Sequence, residues 1–287
     1  MTQAPLRVLC LDIEGGYGGS SRSLWEALRH IDRSRIEPEV WCRKRGPAER
    51  RYRSDKIAVG VKPHMPTVSA LPKLSRNLFA FGRFLLHDWP RSGDFRQELV
   101  QVLQRRFDLL HCNHESLFAL ASWVRPRIVL PITGHVRTNL WRSPFATAQV
   151  QKLAAATDRL AFITENERAS FEAHLGTDAR GAVIYNPATV HDRAPEPLPE
   201  YAAELRYRIA CLSNYSWSRG IDRLVDVAAA LAAQGRRDVL FLVAGNMALR
   251  RSLPGALGRI ARRGGSLVDY AAARGVSDMF AFLGHVD

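Results

Sequence analysis

Short apolar runs alternate with helix-length amphipathic stretches along almost the whole chain, and this alternation narrows the fold more than any other feature. The runs are Leu6–Ile13, Glu39–Trp41, Lys56–Val61, Leu109–Cys112, Ile128–Ile132, Leu160–Thr164 and Ala182–Tyr185, followed by Tyr207–Leu212, Val239–Ala244 and Met279–Leu283. Between them, Leu24, Leu28 and Ile31 share one helical face, as do Ile221, Leu224, Val225, Ala228 and Leu231. Runs of strand length separated by helical periodicity predict βα units, hence parallel sheets covered on both sides.

The alternation breaks once. Pro187, Pro195, Pro197 and Pro199 fall in a stretch with acidic residues between them. Proline fixes φ and removes a donor, so this stretch reads as a linker. At 287 residues the chain exceeds one ordinary core, and two domains are expected. The organisation read here is a Rossmann-like domain over 1–186, a Pro-rich linker over 187–204 and the start of a second domain over 205–287. Thr164-Glu165-Asn166-Glu167 has capping-box spacing, with Gly176 closing the helix that follows. Ser218 is placed to cap a helix that Gly235 ends.

No apolar run is long enough to span a bilayer, and the first run carries Arg7 and Asp12, unlike a signal peptide. A cytoplasmic address is the expectation. Cys10, Cys42, Cys112 and Cys211 form no C-x-x-C pair and lie in or beside apolar runs, which reads as buried free thiols. The formal charge of +13 and pI of 10.2 suit either a solvated arginine-rich surface or a face for anions. Residues 62–106 fit the alternation least well. There Phe79, Phe81, Phe84, Leu85, Leu86 and Trp89 form an aromatic, arginine-flanked segment. It reads as a helix packed on the sheet or as an acceptor-side or membrane-surface element. No helix gathers basic residues with interleaved aromatics in a nucleic-acid module, so no nucleic-acid partner is expected.

Four loops can carry chemistry. Glu14 to Ser21, with Gly15, Gly16, Gly18 and Gly19, follows the first strand and opens a helix. Such a turn lets backbone N–H groups approach an anion. No Gly-Lys-Ser/Thr follows, and the third fingerprint glycine is Ser21, so neither the Walker A nor the dinucleotide pattern is met. His111-Cys112-Asn113-His114-Glu115 ends a strand; it lacks a third metal ligand nearby, and a cleft-facing loop is the better reading. Thr133-Gly134-His135-Val136-Arg137 is placed just past an apolar strand, where His135 can bond a sugar hydroxyl or simply satisfy the loop. Ser213 to Gly220 joins a strand to a helix, and Arg219 there suits a diphosphate. No nucleophile elbow, zinc-protease motif or kinase signature is present.

In this order the loops resemble glycosyltransferase family 4, of GT-B fold with two Rossmann-like domains. Leu6–Ile13 with Gly15–Ser21 looks like that family's first strand and glycine loop, and Asp108-Leu109-Leu110-His111 is similar to its D-x-x-H strand. His135 falls where the family has a histidine. Asp158–Glu165, Val183–Pro187, Asp238–Gly245 and Phe282-Leu283-Gly284 resemble four further strands. The family's G-R-l-x-x-x-K-G appears as Ser213–Gly220, with Asn214 at the arginine position and Arg219 at the lysine position. The resemblance implies a nucleotide diphospho-sugar co-substrate held by Asn214, Arg219, Gly220 and Gly245. It implies an acceptor near Gly18, Gly19 and His114, with His135 as the catalytic residue. It implies retention of anomeric configuration, no metal, no other cofactor, and a saccharide, lipid-linked or cell-envelope acceptor at the inner membrane face. The family's donor-ribose segment does not follow Gly284, so the second domain is expected to be incomplete by roughly 80–120 residues. A non-catalytic nucleotide or anion binder and a GT-B-fold sugar-nucleotide epimerase are the alternatives.

Overall fold

A computed structural model describes residues 4–16, 18–71, 74–187, 207–212, 220, 222–245 and 267–284. The chain divides into two compact units, Met1–Asp192 and Arg193–Asp287. The expected linker over 187–204 lies almost wholly outside the described residues.

The first unit runs β1 (Leu6–Asp12), α1 (Gly19–Arg29), β2 (Ile36–Cys42), α2 (Pro47–Ser54), β3 (Ala58–Val61), α3 (Leu74–Arg83), a π turn (Phe84–Asp88) and α4 (Trp89–Arg91). It continues with α5 (Gly93–Arg106), β4 (Leu109–Cys112), α6 (Phe118–Val124), β5 (Ile132–Val136), α7 (Pro144–Ala156), β6 (Arg159–Phe162), α8 (Glu165–Leu175) and β7 (Gly181–Val183). The seven strands pair in parallel in the order β3-β2-β1-β4-β5-β6-β7. The order reverses between β1 and β4, and open α/β sheets bind ligands beyond the carboxyl ends at such a switch point.

Alternation along the strands sets the two faces. Leu9, Leu11, Leu110, Cys112 and Ile132 pack with Leu99 and Leu103 of α5 and Leu120 and Val124 of α6. Val136, Leu160 and Phe162 extend that layer toward α7 and α8. On the other face Val8, Cys10, Val40 and Cys42 pack against Leu24 and Leu28 of α1 and Tyr52 of α2. That cover does not reach the far strands. A groove of 770 Å³ lies over His111, Thr133, Ala161 and Ala182, so among the described residues the sheet is not closed on both sides as expected. Cys10, Cys42 and Cys112 are buried free thiols, and Cys211 is half-buried.

The expected fifth strand was Ile128–Ile132, whereas β5 is Ile132–Val136. Val129 is 97% exposed, and Pro126 and Pro131 bracket the apolar run, limiting its ladder donors. Thr164 caps α8 by accepting from the Asn166 N–H (3.1 Å), and Gly176 ends it at φ +79°.

The second unit has three parallel strands in the order β10-β9-β8: β8 (Tyr207–Leu212), β9 (Val239–Ala244) and β10 (Phe280–Gly284). Helices α9 (Asp222–Ala233) and α10 (Leu267–Ala273) connect them. Val225, Ala228, Phe241, Val243, Ala271 and Phe280 form its core. Strands β9 and β10 give the first unit's pattern in miniature, with β9 wholly buried.

Candidate functional site

The glycine loop crosses the carboxyl end of β1 and is held from below. Asp12, the last residue of β1, is fully buried. It accepts from Ser21 Oγ (2.8 Å), the Tyr52 hydroxyl (3.1 Å) and the Glu14 N–H (3.2 Å). Burial raises its pKa, and these donors pull it back down. Ser21 also accepts from the Gly15 N–H (3.4 Å). The serine that breaks the dinucleotide fingerprint therefore ties the loop to the strand.

Gly15 is the glycine this turn requires. Its φ is +111°, and a Cβ there would overlap the Lys44 carbonyl. Gly18 precedes α1, where an added Cβ would meet the Glu14 carboxylate at 2.7 Å, while Gly19 faces open space. No side chain caps α1 and its first turn carries no acid. Its start thus offers N–H groups and a positive dipole end to an anion or a hydroxyl.

Beside this loop one buried cation ties four segments together. Arg137, immediately past β5, donates from Nε and Nη2 to Asn113 Oδ1 (3.2 and 2.6 Å), and from Nε to the Asn113 carbonyl (2.9 Å). Its Nη1 donates to Asn186 Oδ1 (3.1 Å), which also accepts from Ser23 Oγ of α1 (2.6 Å). Asn113 Nδ2 donates to the Ser20 carbonyl (3.2 Å), so the chain of bonds closes on α1 at both ends. Burial brings the Arg137 pKa down to about 10, with Glu115 and Asp12 acting against the fall. It is charged at neutral pH. The Arg137 N–H donates to Glu115 Oε2 (2.9 Å), and Thr138 Oγ1 donates to Glu115 Oε1.

The histidines take different stations. His135 lies within β5, not in a loop past it, because the strand runs on through Val136. Its Nδ1 accepts from Arg137 Nη2 (3.0 Å), and its Nε2 is buried without a partner. Burial, reinforced by Arg137, His111 and His114, pushes its pKa down to about 2. The ring is therefore neutral and carries its proton on Nε2. It meets the His111 ring edge-on at 5.9 Å. His111 bonds Thr133 Oγ1 (2.9 Å), and burial, then Arg137, lowers its pKa to about 4. Both rings line a 310 Å³ cavity with Cys10, Leu24, Arg137 and Ile184. His114 turns elsewhere: its Nδ1 accepts from the Ser116 N–H (3.1 Å), so that atom has no proton for Glu115 at 3.6 Å.

Gly18, Gly19 and His114 thus gather at the carboxyl ends of β1 and β4, while His135 sits beneath them. Asp12, Asn113, Glu115, Arg137 and Asn186 form the scaffold that motif reading passed over; the charge of Arg137 just beyond a strand was the available signal. In the second unit Gly220 (φ +67°) precedes α9, and Gly245 (φ +143°) ends β9, donating to the Gly284 carbonyl at 2.5 Å. Asp222 supplies an acid in the first turn of α9, already complementing that helix's positive end. Asn214 and Arg219 lie outside the described residues.

A model of glycosyltransferase family 4 matches residues 17–192. No curated protein matches the sequence. Among solved structures, HepE of Anabaena in complex with UDP-glucose superposes with a TM-score of 0.67 at 16% identity, covering 98% of this chain and 70% of its own. The lipopolysaccharide outer core galactosyltransferase WaaB, in its apo form, gives 0.56 at 14% identity over 98% and 68%. A UDP-N-acetylglucosamine 2-epimerase described as putative, from Listeria monocytogenes, gives 0.55 at 11% identity over 99% and 70%.

Proposed function

The chain belongs to glycosyltransferase family 4, and from that premise we propose that it moves a sugar from a nucleotide diphospho-sugar to a saccharide or lipid-linked acceptor. The family match over residues 17–192 carries this reading. The complexes of a fold neighbour with UDP and with UDP-glucose support a uridine diphosphate donor.

In this proposal the acceptor lies over the open N-terminus of α1, near Gly18 and Gly19, with His114 beside it. Arg137 fixes the loops that form the acceptor's floor, and His135 acts through Arg137 as a positioning residue. The donor diphosphate lies against Gly220, Gly245, Asn214 and Arg219. The charge that develops on the leaving diphosphate is stabilised by Arg219 and backbone N–H groups. Because Asp222 already occupies the first turn of α9, most of that stabilisation falls to Arg219. Transfer proceeds with retention and without a metal ion, at the cytoplasmic face of a membrane.

The test is incubation with UDP-sugars and a panel of saccharide and lipid-linked acceptors, following UDP release and the anomeric proton of the product. A retained anomer formed equally well in EDTA supports the whole reading. An inverted product or EDTA sensitivity removes the finer part of it. Conversion of the donor into an isomeric nucleotide sugar without transfer would assign the epimerase chemistry named for one fold neighbour.

A further inference from the structure

The segment Leu74–Arg91 resolves into two faces that the sequence left merged. Asn77 and Phe84, seven residues apart, are buried. Asn77 both accepts from the Leu71 N–H (2.6 Å) and donates to the Leu71 carbonyl (2.7 Å), anchoring the start of α3. Phe84 packs against Trp89, ring centroids 5.5 Å apart and tilted by 48°. The opposite side is apolar and open: Leu74, Leu78, Phe79, Leu85 and Leu86 are 63, 60, 75, 60 and 85% exposed. Five large apolar side chains within thirteen residues exceed the scattered exposure ordinary on a surface. At 100° per residue Arg76 and Arg83, also seven apart, fall together at the edge of this arc; both are exposed.

A second observation adjoins the first. One residue past Leu86, His87, Asp88 and Arg91 line a 230 Å³ pocket with Arg43 and His64. Arg43 Nη1 donates to Thr67 Oγ1 (3.1 Å), and Arg91 Nη1 donates to His87 Nε2. Two arginines against one carboxylate leave the pocket cationic, with room for a phosphate.

We propose that Leu74–Leu86 is the face by which this chain docks on an anionic lipid bilayer, with the Arg43–Arg91 pocket receiving a lipid phosphate. The chemistry is that of an interfacial helix: apolar side chains enter the acyl boundary while flanking arginines meet anionic headgroups. No helix among the described residues is long and apolar enough to cross a membrane, so the contact is one of lying on the surface. The net charge of +13 adds long-range attraction of the same sign. The inference adds a surface to the proposed acceptor class and is read out separately from turnover.

The experiment is co-sedimentation of the full chain with phosphatidylcholine vesicles, with and without phosphatidylglycerol. The expected result is binding that needs phosphatidylglycerol and weakens with salt. The variant Leu78→Ser/Leu85→Ser/Leu86→Ser, changed only at exposed positions, is expected to lose about a hundredfold or more in partitioning. Arg43→Ala/Arg91→Ala is expected to lose about thirtyfold on anionic vesicles and little on neutral ones. Unchanged binding by the leucine variant overturns the proposal. So does a leucine variant that merely lowers the oligomeric state while the parent ignores vesicles, which would give the face to a second copy. Turnover on a water-soluble acceptor stays intact in the leucine variant, so failure of docking and failure of glycosyl transfer are distinguishable.

Discussion

Nη2 of Arg137 donates to Nδ1 of His135 across 3.0 Å, and that one bond decides what the histidine can do. A guanidinium has no acceptor, so Nδ1 carries no proton, and a charged neighbour makes imidazolium costly. His135 is consequently a neutral ring that accepts from Arg137 at Nδ1 and keeps its proton on Nε2.

Acid should expose this. His135 and His111 have folded pKa values near 2 and 4, both below the unfolded value of about 6.5. Below that value the unfolded chain binds protons that the folded chain refuses. Stability is full above about pH 6.5 and falls as the pH drops. Each histidine contributes up to about 1.4 kcal/mol per pH unit until its folded pKa is reached. Denaturant titrations between neutral pH and pH 4 should show this slope, and His135→Asn should reduce it while keeping an acceptor for Arg137. An unchanged slope in the variant would return the histidine to a solvated role.

Truncating Arg137 should loosen several segments at once. Arg137→Ala strands Asn113 Oδ1 and leaves Asn186 Oδ1 with Ser23 alone, and a loss of about 2–4 kcal/mol is expected. Arg137→Lys keeps the charge but cannot reach both asparagines from one fork, so it should recover only part. Urea melts of the three proteins provide the comparison, and equal stability of Ala and Arg variants would refute the tie.

The glycines should separate by role. Gly15→Ala forces a side chain into a backbone carbonyl at positive φ and should cost more than about 2 kcal/mol. Gly19→Ala adds a methyl to open space and should alter stability by less than about 0.5 kcal/mol, yet raise the acceptor KM. Paired melts and kinetics test this; unaltered kinetics in Gly19→Ala would move the acceptor away from the loop.

On the donor side Arg219→Ala should weaken nucleotide-sugar binding about tenfold or more, the scale of one lost charge-assisted bond. Arg263→Ala, an arginine outside the Ser213–Gly220 and Asp238–Gly245 segments, should leave it near the parent value. Calorimetric titration with UDP-glucose distinguishes them, and equal losses would take Arg219 out of the site.

The sequence made the sheet legible wherever a strand was a continuous apolar run between turn residues. Leu6–Ile13 and Val239–Ala244 show it best, because both sides are buried over Val8–Asp12 and over all of Val239–Ala244. It misled where burial is one-sided. Strand β5 shows Ile132, Gly134 and Val136 to the core but Thr133 to the groove and His135 to the cavity, so its composition looks like a loop. Strand β2 starts at Ile36, not Glu39, despite Pro38. Pairing with β3 begins only at Glu39, leaving the proline where a missing donor costs nothing on that side. The glycine loop and the His114 turn were readable as motifs. The Asp12–Ser21–Tyr52 knot and the Arg137 bonds join residues far apart in the chain, and no spacing rule encodes them.

The cysteines have a practical corollary. Burial drives the Cys10 and Cys112 thiols up to about 12 and Cys42 higher still. Thiolates, not thiols, attack alkylating reagents, so these three buried groups are closed to them in the native state. Cys211, half-buried in the first strand of the second unit, is then the one native handle for a maleimide fluorophore or spin label. A single engineered cysteine in the first unit would complete a distance pair, and motion between the units could be followed without building a cysteine-free background.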